Sequence, residues 1–261
     1  MKRTRTLPSN LRLFGLVLCG LVLSACSQEA PTEATSQVPA PLNQPLRILP
    51  TLCSEPTFPA MAVGQESDIA EILKQTEAGL AVFQWELGTM YGRGEDVPQD
   101  DVEAVKWYRL AADRGHACAQ FDLGAMYANG NGVSQDDVEA VKWYRLAAEQ
   151  GHAQAQTVLG LMYATGNGVP EDDAEAAKWY RLAAEQGHAN AQGSLGLRYV
   201  TGRGVPVDLV AAHAWLNIAS ASGNEKAREG KSVVESIMTP AQISEAQQLS
   251  TEIFERIQGN Q

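Results

Sequence analysis

The stretch QDDVEAVKWYRLAA occupies residues 99–112, and the same fourteen residues recur at 135–148. A third and nearly identical copy, EDDAEAAKWYRLAA, occupies residues 171–184. The step from copy to copy is 36 residues, and three kinds of landmark residue each occur four times at this step. They are Trp107, Trp143, Trp179 and Trp215; Tyr91, Tyr127, Tyr163 and Tyr199; and Gly115, Gly151, Gly187 and Gly223. A period of this length is typical of stacked supersecondary units.

The first half of each copy has the pattern of an amphipathic helix. In the second copy Ala119, Leu123 and Tyr127 are four residues apart, which places them on one face of a helix. Gly124 lies beside this stripe although glycine costs a helix interior about 1 kcal/mol relative to alanine. We therefore expect a neighbouring helix to approach closely at Gly124.

The second half of each copy has the signals of another helix. A turn, NGNG at residues 129–132, precedes Asp136, which with Glu139 has the spacing of a capping box. Gly151 then has the place of a C-terminal stop. Since one such helix pair cannot bury its apolar face alone, the repeated stretch is predicted to be a stacking helix of an array.

These residues together resemble a known repeat family. Residues 119–151 and 155–187 match A-x-x-x-L-G-x-x-Y-x-x-G-x-G-V-x-x-D-x-x-x-A-x-x-W-Y-x-x-A-A-x-x-G at every fixed position. The pattern resembles the Sel1-like repeat, a relative of the tetratricopeptide repeat. The first copy departs at Asp96, a residue type that tolerates a left-handed backbone, and the fourth departs at Leu216 and Ser220.

The resemblance implies an all-α fold, a right-handed α/α solenoid of helix pairs. The repeats would occupy residues 80–115, 116–151, 152–187 and 188–223 within a domain of residues 68–261. Helical half-units are expected at 68–78 and 224–238. Thr239-Pro240-Ala241-Gln242 has the spacing of a capping box and predicts a final helix.

The N-terminal residues have the features of a lipoprotein signal. Residues 1–25 combine four basic residues with an apolar run at 13–23 that is too short to span a bilayer. Leu23-Ser24-Ala25-Cys26 resembles the bacterial lipobox, which implies cleavage before Cys26 and its lipidation, for instance with palmitate. Ser27 then favours, by the same resemblance, the outer membrane. An ordinary secretory signal with a chance cysteine is the alternative.

The segment between the signal and the repeats divides in two. Residues 27–45 contain four prolines and few apolar groups, so we expect a flexible tether. Residues 46–60, LRILPTLCSEPTFPA, are more apolar, and we expect them to lie extended along the folded domain. The tether and this extended segment belong to a linking region, residues 26–67.

Composition and motifs restrict the function classes. The formal net charge of −11 becomes −15 without the four basic residues of the signal, which argues against a nucleic-acid partner. The chain contains no G-x-S-x-G, H-E-x-x-H or S-x-x-K motif, so we predict no enzyme and no catalytic residue. We also predict no cofactor and no metal: helix capping accounts for the acidic clusters, and His116, His152 and His188 are too far apart in a stack to converge.

Candidate binding residues lie where the copies differ. In tetratricopeptide-like arrays the first helices line the concave face, and two registers vary there. The predicted protein-binding residues are Trp85, Thr89, Phe121, Ala125, Thr157, Leu161 and Leu197. Aromatic residues are frequent interface anchors, which favours a protein or peptide partner. The alternative is that Trp85 and Phe121 only pack the end of the array.

Cysteine usage adds a structural hypothesis. After lipidation of Cys26 the chain keeps two thiols, Cys53 and Cys118, in an oxidising compartment. Cys118 occupies the register of Gln154 and Asn190, so we expect it to be exposed, and a disulfide with Cys53 would remove this liability. Such a bridge would lay residues 46–60 across the first helices.

The sequence therefore predicts a lipid-anchored protein of the outer membrane that faces the periplasm and acts as a protein-interaction scaffold. A second possibility is a β-lactamase-like or cell-wall-fragment-binding protein, since some cysteine-rich Sel1-like repeat proteins have been assigned as β-lactamases. That assignment would also require a cysteine pair in most repeats, which this chain lacks. A third is a purely structural spacer whose groove is filled by its own chain.

Overall fold

A computed structural model describes residues 80–259, and every regular element in this range is an α-helix. Their bounds are α1 Ala81–Arg93, α2 Asp101–Asp113, α3 Ala117–Asn129, α4 Asp137–Glu149, α5 Ala153–Thr165, α6 Asp173–Glu185, α7 Ala189–Thr201, α8 Leu209–Ala221, α9 Glu225–Glu235 and α10 Pro240–Gly259. The all-α prediction is confirmed. The predicted signal, tether and extended segment, and the half-unit at 68–78, lie outside the described residues.

The described helices belong to two compact units, residues 80–191 and 192–259, with the boundary inside α7. In the first unit α1 packs on α2, α3 on α4 and α5 on α6, and each pair contacts the next through α2 with α3 and α4 with α5. In the second unit α8 packs on both α9 and α10. None of the described helices is long and apolar enough to cross a membrane.

Each helix pair closes at a glycine of its first helix, as the sequence predicts. A Cβ on Gly124 would lie 2.9 Å from the Tyr144 ring of α4, and a Cβ on Gly160 would lie 2.9 Å from the Tyr180 ring. Both distances are shorter than a carbon–carbon contact allows. Because the glycine has no side chain, the tyrosine ring can pack directly against the first helix.

The turns between paired helices explain a second set of glycines. Gly132 and Gly168 have positive φ angles of 66° and 69°. A Cβ on either would overlap the carbonyl oxygen of Asp101 or Asp137, at the start of the preceding repeat's second helix. Asp96 replaces the corresponding glycine in the first copy and adopts a left-handed φ of 60°, as expected for aspartate.

Helix ends are capped largely as predicted, with one correction. Asp136 accepts from the backbone N–H of Glu139 at 3.0 Å. The reciprocal half of the capping box is absent, because the Glu139 carboxylate pairs with Lys142 at 2.7 Å and the Asp136 N–H donates to the carbonyl of Tyr127. The lysine offers a charged donor one turn away, which a carboxylate prefers to a neutral amide.

The other predicted caps have both of their hydrogen bonds. The N–H of Gly151 donates to the Ala148 carbonyl and that of His152 to the Ala147 carbonyl, the pair of bonds that ends a helix at a left-handed glycine. At the start of α10 the Thr239 N–H donates to Gln242 Oε1 at 2.9 Å and the Gln242 N–H to Thr239 Oγ1 at 3.3 Å. This is a complete capping box.

The interior consists of residues that the copies share. Leu87, Leu123, Leu159 and Leu195 occupy one register and are fully buried. Tyr108, Tyr144 and Tyr180 are buried beside them, and alanines at the helix crossings have no exposed surface. Since a fully buried leucine contributes about 2 kcal/mol or more by leaving water, this ladder is a main source of stability.

Candidate functional site

The predicted binding residues on the first helices differ in how much surface they retain. We call Trp85, Thr89, Phe121, Ala125, Thr157 and Leu161, all in the first compact unit, the first-helix strip. Trp85 is buried, with 8% of its surface exposed, and the other five are half-buried. Leu197, in the second unit, is half-buried against the core of α8 and α9. The strip therefore offers partial surfaces from several helices.

One register of the strip packs on the N-cap residue of the following repeat. The pairs are Trp85 with His116 (ring centroids 5.3 Å apart), Phe121 with His152 (4.8 Å), and Thr157 with His188 (Oγ1 to Nδ1, 2.9 Å). In the second unit a Cβ on Gly193 would lie 3.5 Å from the amide nitrogen of Asn224. Phe121 and Thr157 thus have one side on a cap and keep part of the other exposed, whereas Trp85 is buried. Sequence analysis missed this pairing because the partners are 31 residues apart in neighbouring repeats.

His116 and His152 cap the first helices that follow them. Nδ1 of His116 accepts from the Ala119 N–H at 3.3 Å, and Nδ1 of His152 accepts from the Ala155 N–H at 3.1 Å. Burial lowers the pKa of His152 to about 4 and also lowers the pKa of His116 and His188. An Nδ1 that accepts a hydrogen bond carries no proton, so the caps require neutral imidazole.

Two acids, the buried Glu86 and the half-buried Asp122, lie at the N-terminal end of the strip. The indole N–H of Trp85 donates to Asp122 at 2.6 Å, and burial raises the pKa of Asp122 to about 6 against the opposing effect of this bond. Glu86, the counterpart of Asp122 one repeat earlier, is 7% exposed, and burial raises its pKa to about 7. Its Oε2 has no hydrogen-bond partner among the described residues.

The second register of the strip is held by its own helix and by core packing. Thr89 donates to the Trp85 carbonyl at 3.0 Å and accepts from the Tyr108 hydroxyl at 3.4 Å. Ala125 packs with Phe121 against the core of α4 and α5. These contacts fix the positions of the strip side chains before any partner arrives, which lowers the entropy cost of binding.

Arginines of the second helices connect successive repeats, a feature that the sequence analysis did not identify. Arg109 donates to the hydroxyl of Tyr127, and Arg145 to that of Tyr163. Each guanidinium also lies over the ring of the same tyrosine, 5.5 and 5.6 Å from its centroid. The 18-residue spacing of Arg and Tyr, constant in the copies, was the available signal.

Cys118 requires a correction. The register of Gln154 and Asn190 predicted an exposed side chain, but Cys118 is buried, with 3% of its surface exposed. It is disulfide-bonded. Since no other cysteine lies between residues 80 and 259, its partner is outside the described residues, and pairing with Cys53 stays a prediction.

The acidic clusters of the second helices act as caps and surface ion pairs. Asp100 accepts from the Glu103 N–H at 3.0 Å, and Glu103 pairs with Lys106 at 2.6 Å. The next two copies repeat the arrangement. Between residues 80 and 259, no three His, Cys, Asp or Glu side chains are grouped as a metal site would require.

Comparison with known proteins places these features in a family. The family model described as Sel1 repeat matches residues 81–116, 119–152, 153–188 and 189–224, more than half of the chain. No curated protein matches the chain.

Two solved structures are similar to it. A Sel1 repeat protein from Oxalobacter formigenes is 37% identical, with a TM-score of 0.59, over 64% of this chain and 48% of that one. A protective antigen of uropathogenic Escherichia coli with an SLR fold is 30% identical, with a TM-score of 0.50, over 71% of this chain and 48% of that one. The chain thus spans about half the length of either structure.

Proposed function

The chain belongs to the Sel1 repeat family, whose members are generally non-catalytic scaffolds for protein–protein interaction, and from this premise we propose a specific scaffold role. The protein is attached to the outer membrane by a lipid on Cys26, faces the periplasm, and binds a protein segment of the cell envelope through the first-helix strip. It has no catalytic activity, cofactor or nucleic-acid partner.

One observation carries the binding proposal: residues buried in every copy are mostly identical, whereas most of the first-helix positions that differ are partly exposed. Leu123 and Leu159 are identical and fully buried, whereas Phe121 and Thr157 differ and keep part of their surface. A residue needed only for stacking has no reason to change from copy to copy. Side chains that differ along a rigid array can recognise an extended segment whose own residues differ along its length.

The anchor proposal depends on the N-terminal sequence. A short apolar run, preceded by basic residues and ending in Leu23-Ser24-Ala25-Cys26, has the order and spacing of a lipoprotein signal. Each buried methylene of an acyl chain contributes about 0.8 kcal/mol to membrane binding, so two or more chains hold a folded domain at the bilayer.

Photo-crosslinking in intact cells tests the binding proposal. A benzophenone amino acid replaces Phe121 in the strip or, as a matched control, Leu146, an exposed residue of α4 outside the strip. We expect an adduct to one envelope protein from position 121 that is absent from position 146. Equal adducts from both positions, or none from position 121, would contradict the strip as a binding surface.

Membrane fractionation tests the anchor separately. We expect wild-type protein to incorporate labelled palmitate and to sediment with outer membranes, and Cys26→Ser to lose both properties. Palmitate incorporation that persists in Cys26→Ser, or wild-type protein recovered from the soluble periplasm, would overturn the anchor and leave the strip proposal unaffected.

A further inference from the structure

The burial of Cys118 is an exception among equivalent positions. Cys118, Gln154 and Asn190 are each the second residue of a first helix, in α3, α5 and α7. Gln154 and Asn190 are exposed, whereas Cys118 is 3% exposed. Asparagine is only slightly larger than cysteine, so side-chain size does not account for the difference.

The local backbone does not account for it either. The N-cap residues His116 and His152 have nearly the same angles, φ −70° and ψ 111° against φ −66° and ψ 104°. Both accept from the third residue of the following helix. In this frame Gln154 and Asn190 are exposed, so the cover over Cys118 combines its neighbours in the buried cluster around Trp85 with atoms that the other copies lack.

The disulfide identifies what brings those atoms. Cys118 is disulfide-bonded, and the remaining cysteines are Cys19, Cys26 and Cys53. Cys19 lies in the predicted signal and Cys26 is the proposed lipid site, which leaves Cys53. We propose that Cys53 pairs with Cys118 within one chain and that residues 46–60 dock on the N-terminal ends of α1 and α3 as a covalent cap of the first repeat.

The start of α1 and residues 46–60 both carry apolar side chains. Leu80 and Val82, at the start of α1, are apolar, and Val82 is the α1 counterpart of Cys118. Residues 46–60 supply Leu49, Leu52 and Phe58 around Cys53. A disulfide holds the two Cα atoms within about 7 Å of each other, so these apolar side chains reach the start of α1.

Glu86 is a second, independent sign that the chain before α1 covers the first repeat. Its counterpart Asp122 accepts from Trp85 of the preceding repeat, so Glu86 faces the side on which a preceding element lies. It is 7% exposed although α1 is the first described helix. Repeat arrays need such a terminal cap because the end unit has no neighbour to bury its stacking face.

The bond between Cys53 and Cys118 forms by thiol–disulfide exchange. Two thiols lose two protons and two electrons as the sulfur–sulfur bond forms, and the disulfide of an oxidoreductase accepts them and becomes a dithiol. The step requires an oxidising compartment, and in this respect it rests on the proposed periplasmic location. Its consequence is that the link between the lipid and the repeats shortens from residues 27–79 to residues 27–52.

Peptide mapping of protein purified from the cell envelope tests the pairing. After alkylation and tryptic cleavage without reductant, we expect a disulfide-linked pair of residues 48–74 and 115–142, in protein that migrates as a monomer on a non-reducing gel. Alkylated thiols at both positions together with a lipid on Cys26 would overturn the pairing alone. An intact signal with unmodified Cys26 would overturn the location on which it rests, and an interchain bond would replace the cis cap by a dimer.

Maleimide labelling tests the docking. In native Cys53→Ser protein we expect Cys118 to react at a rate within about threefold of a cysteine placed at Gln154 in the same background. Protection of Cys118 that persists by more than tenfold would show that the repeat itself buries it and would overturn the docked segment. Cys53→Ser, Cys118→Ser and the double variant should each lower Tm by the same amount, about 5–15 °C; additive losses would contradict a shared bond.

Discussion

The second helices of the first three repeats are near copies of one another, whereas the first helices share only part of their residues. α2 and α4 differ only at their last residue, Asp113 or Glu149. α3 and α5 differ at five positions, of which four, among them Phe121 and Thr157, are half-buried or exposed in both helices, and the fifth is the buried Cys118 opposite the exposed Gln154. Positions that are buried in both helices keep the same residue, whereas most of the positions that differ are partly exposed.

The exposed leucines of the second helices show that burial is not the only reason for a residue to be the same in every copy. Leu110, Leu146 and Leu182 are the same in three copies, yet they are between 42% and 46% exposed. Packing among the described residues does not explain why these three leucines are the same. The predictions below separate identical residues that stabilise the array from identical residues that do not.

The turn glycines give the largest expected effect. Gly168→Ala places a methyl group on the Asp137 carbonyl oxygen and also strains a left-handed backbone, so we expect a loss of about 4 kcal/mol or more in the free energy of unfolding. Gly151→Ala has the same backbone problem but no atom within 4 Å, and should cost about 1–2 kcal/mol. Urea denaturation of both variants checks this, and equal losses would mean that contact with the preceding helix is unimportant.

The buried leucines give the next largest effect on the free energy of unfolding. Leu123→Ala removes a fully buried side chain and should cost about 3 kcal/mol, whereas Leu146→Ala should cost less than about 0.5 kcal/mol. The same denaturation series measures both. A loss above about 1.5 kcal/mol for Leu146→Ala would show that the exposed leucine register is also structural.

The sequence predicted the scaffold well because its signals are local and repeated. The 36-residue step, the glycine beside each leucine and the aspartate before each second helix each reflect one contact that every copy makes. The left-handed backbone of Asp96 was also predicted, because the turn requires it in every copy.

The features that were missed depend on contacts between repeats or with the rest of the chain. Trp85 reaches His116 and Asp122 across a repeat boundary, and the contact with Asp122 has no counterpart in the next copy, where Val158 stands in place of the acid. The predicted exposure of Cys118 was wrong for a similar reason. A register describes what the copies share, whereas the atoms that cover Cys118 are particular to one copy.

The cap histidines give a smaller, pH-dependent effect. Since the folded-state pKa of His152 is lowered from 6.5 to about 4, its contribution is complete above pH 6.5 and is lost as the pH falls toward 4. The full shift corresponds to about 3 kcal/mol. His152→Asn should keep the cap, as Asn224 does by accepting from the Ala227 N–H at 2.9 Å, but remove this share of the acid sensitivity.

Unfolding free energies of wild type and His152→Asn at pH 7 and pH 4.5 measure that share. His152→Ala is the control, because it loses the cap at both pH values. An unchanged acid sensitivity in His152→Asn would mean that His152 does not titrate with folding.

The N-cap aspartates give the smallest effect. Asp136→Ala leaves the Glu139 N–H without its acceptor and should cost about 1 kcal/mol, as should the equivalent change at Asp172 in the next copy. Thermal denaturation of the two single variants compares them. A difference above about 0.5 kcal/mol between them would show that the second helices are less equivalent than their sequences.

An exchange of residues between copies tests whether partner recognition lies where the first helices differ. One variant exchanges the strip residues of α3 and α5 (Phe121→Thr, Ala125→Leu, Thr157→Phe, Leu161→Ala). The control exchanges the differing residues of the two second-helix copies (Gln135→Glu, Val138→Ala, Val141→Ala, Glu171→Gln, Ala174→Val, Ala177→Val). Both keep composition and carry a photo-crosslinking residue at Thr89, which neither exchange alters.

The yield of the partner adduct from position 89, in cells, is the measurement. The account predicts that the strip exchange lowers this yield about tenfold or more, and that the second-helix exchange leaves it within about twofold of the unexchanged protein. Circular dichroism of both purified variants confirms that each is folded. An unchanged yield after the strip exchange, in folded protein, would contradict the claim that the residues differing between first helices select the partner.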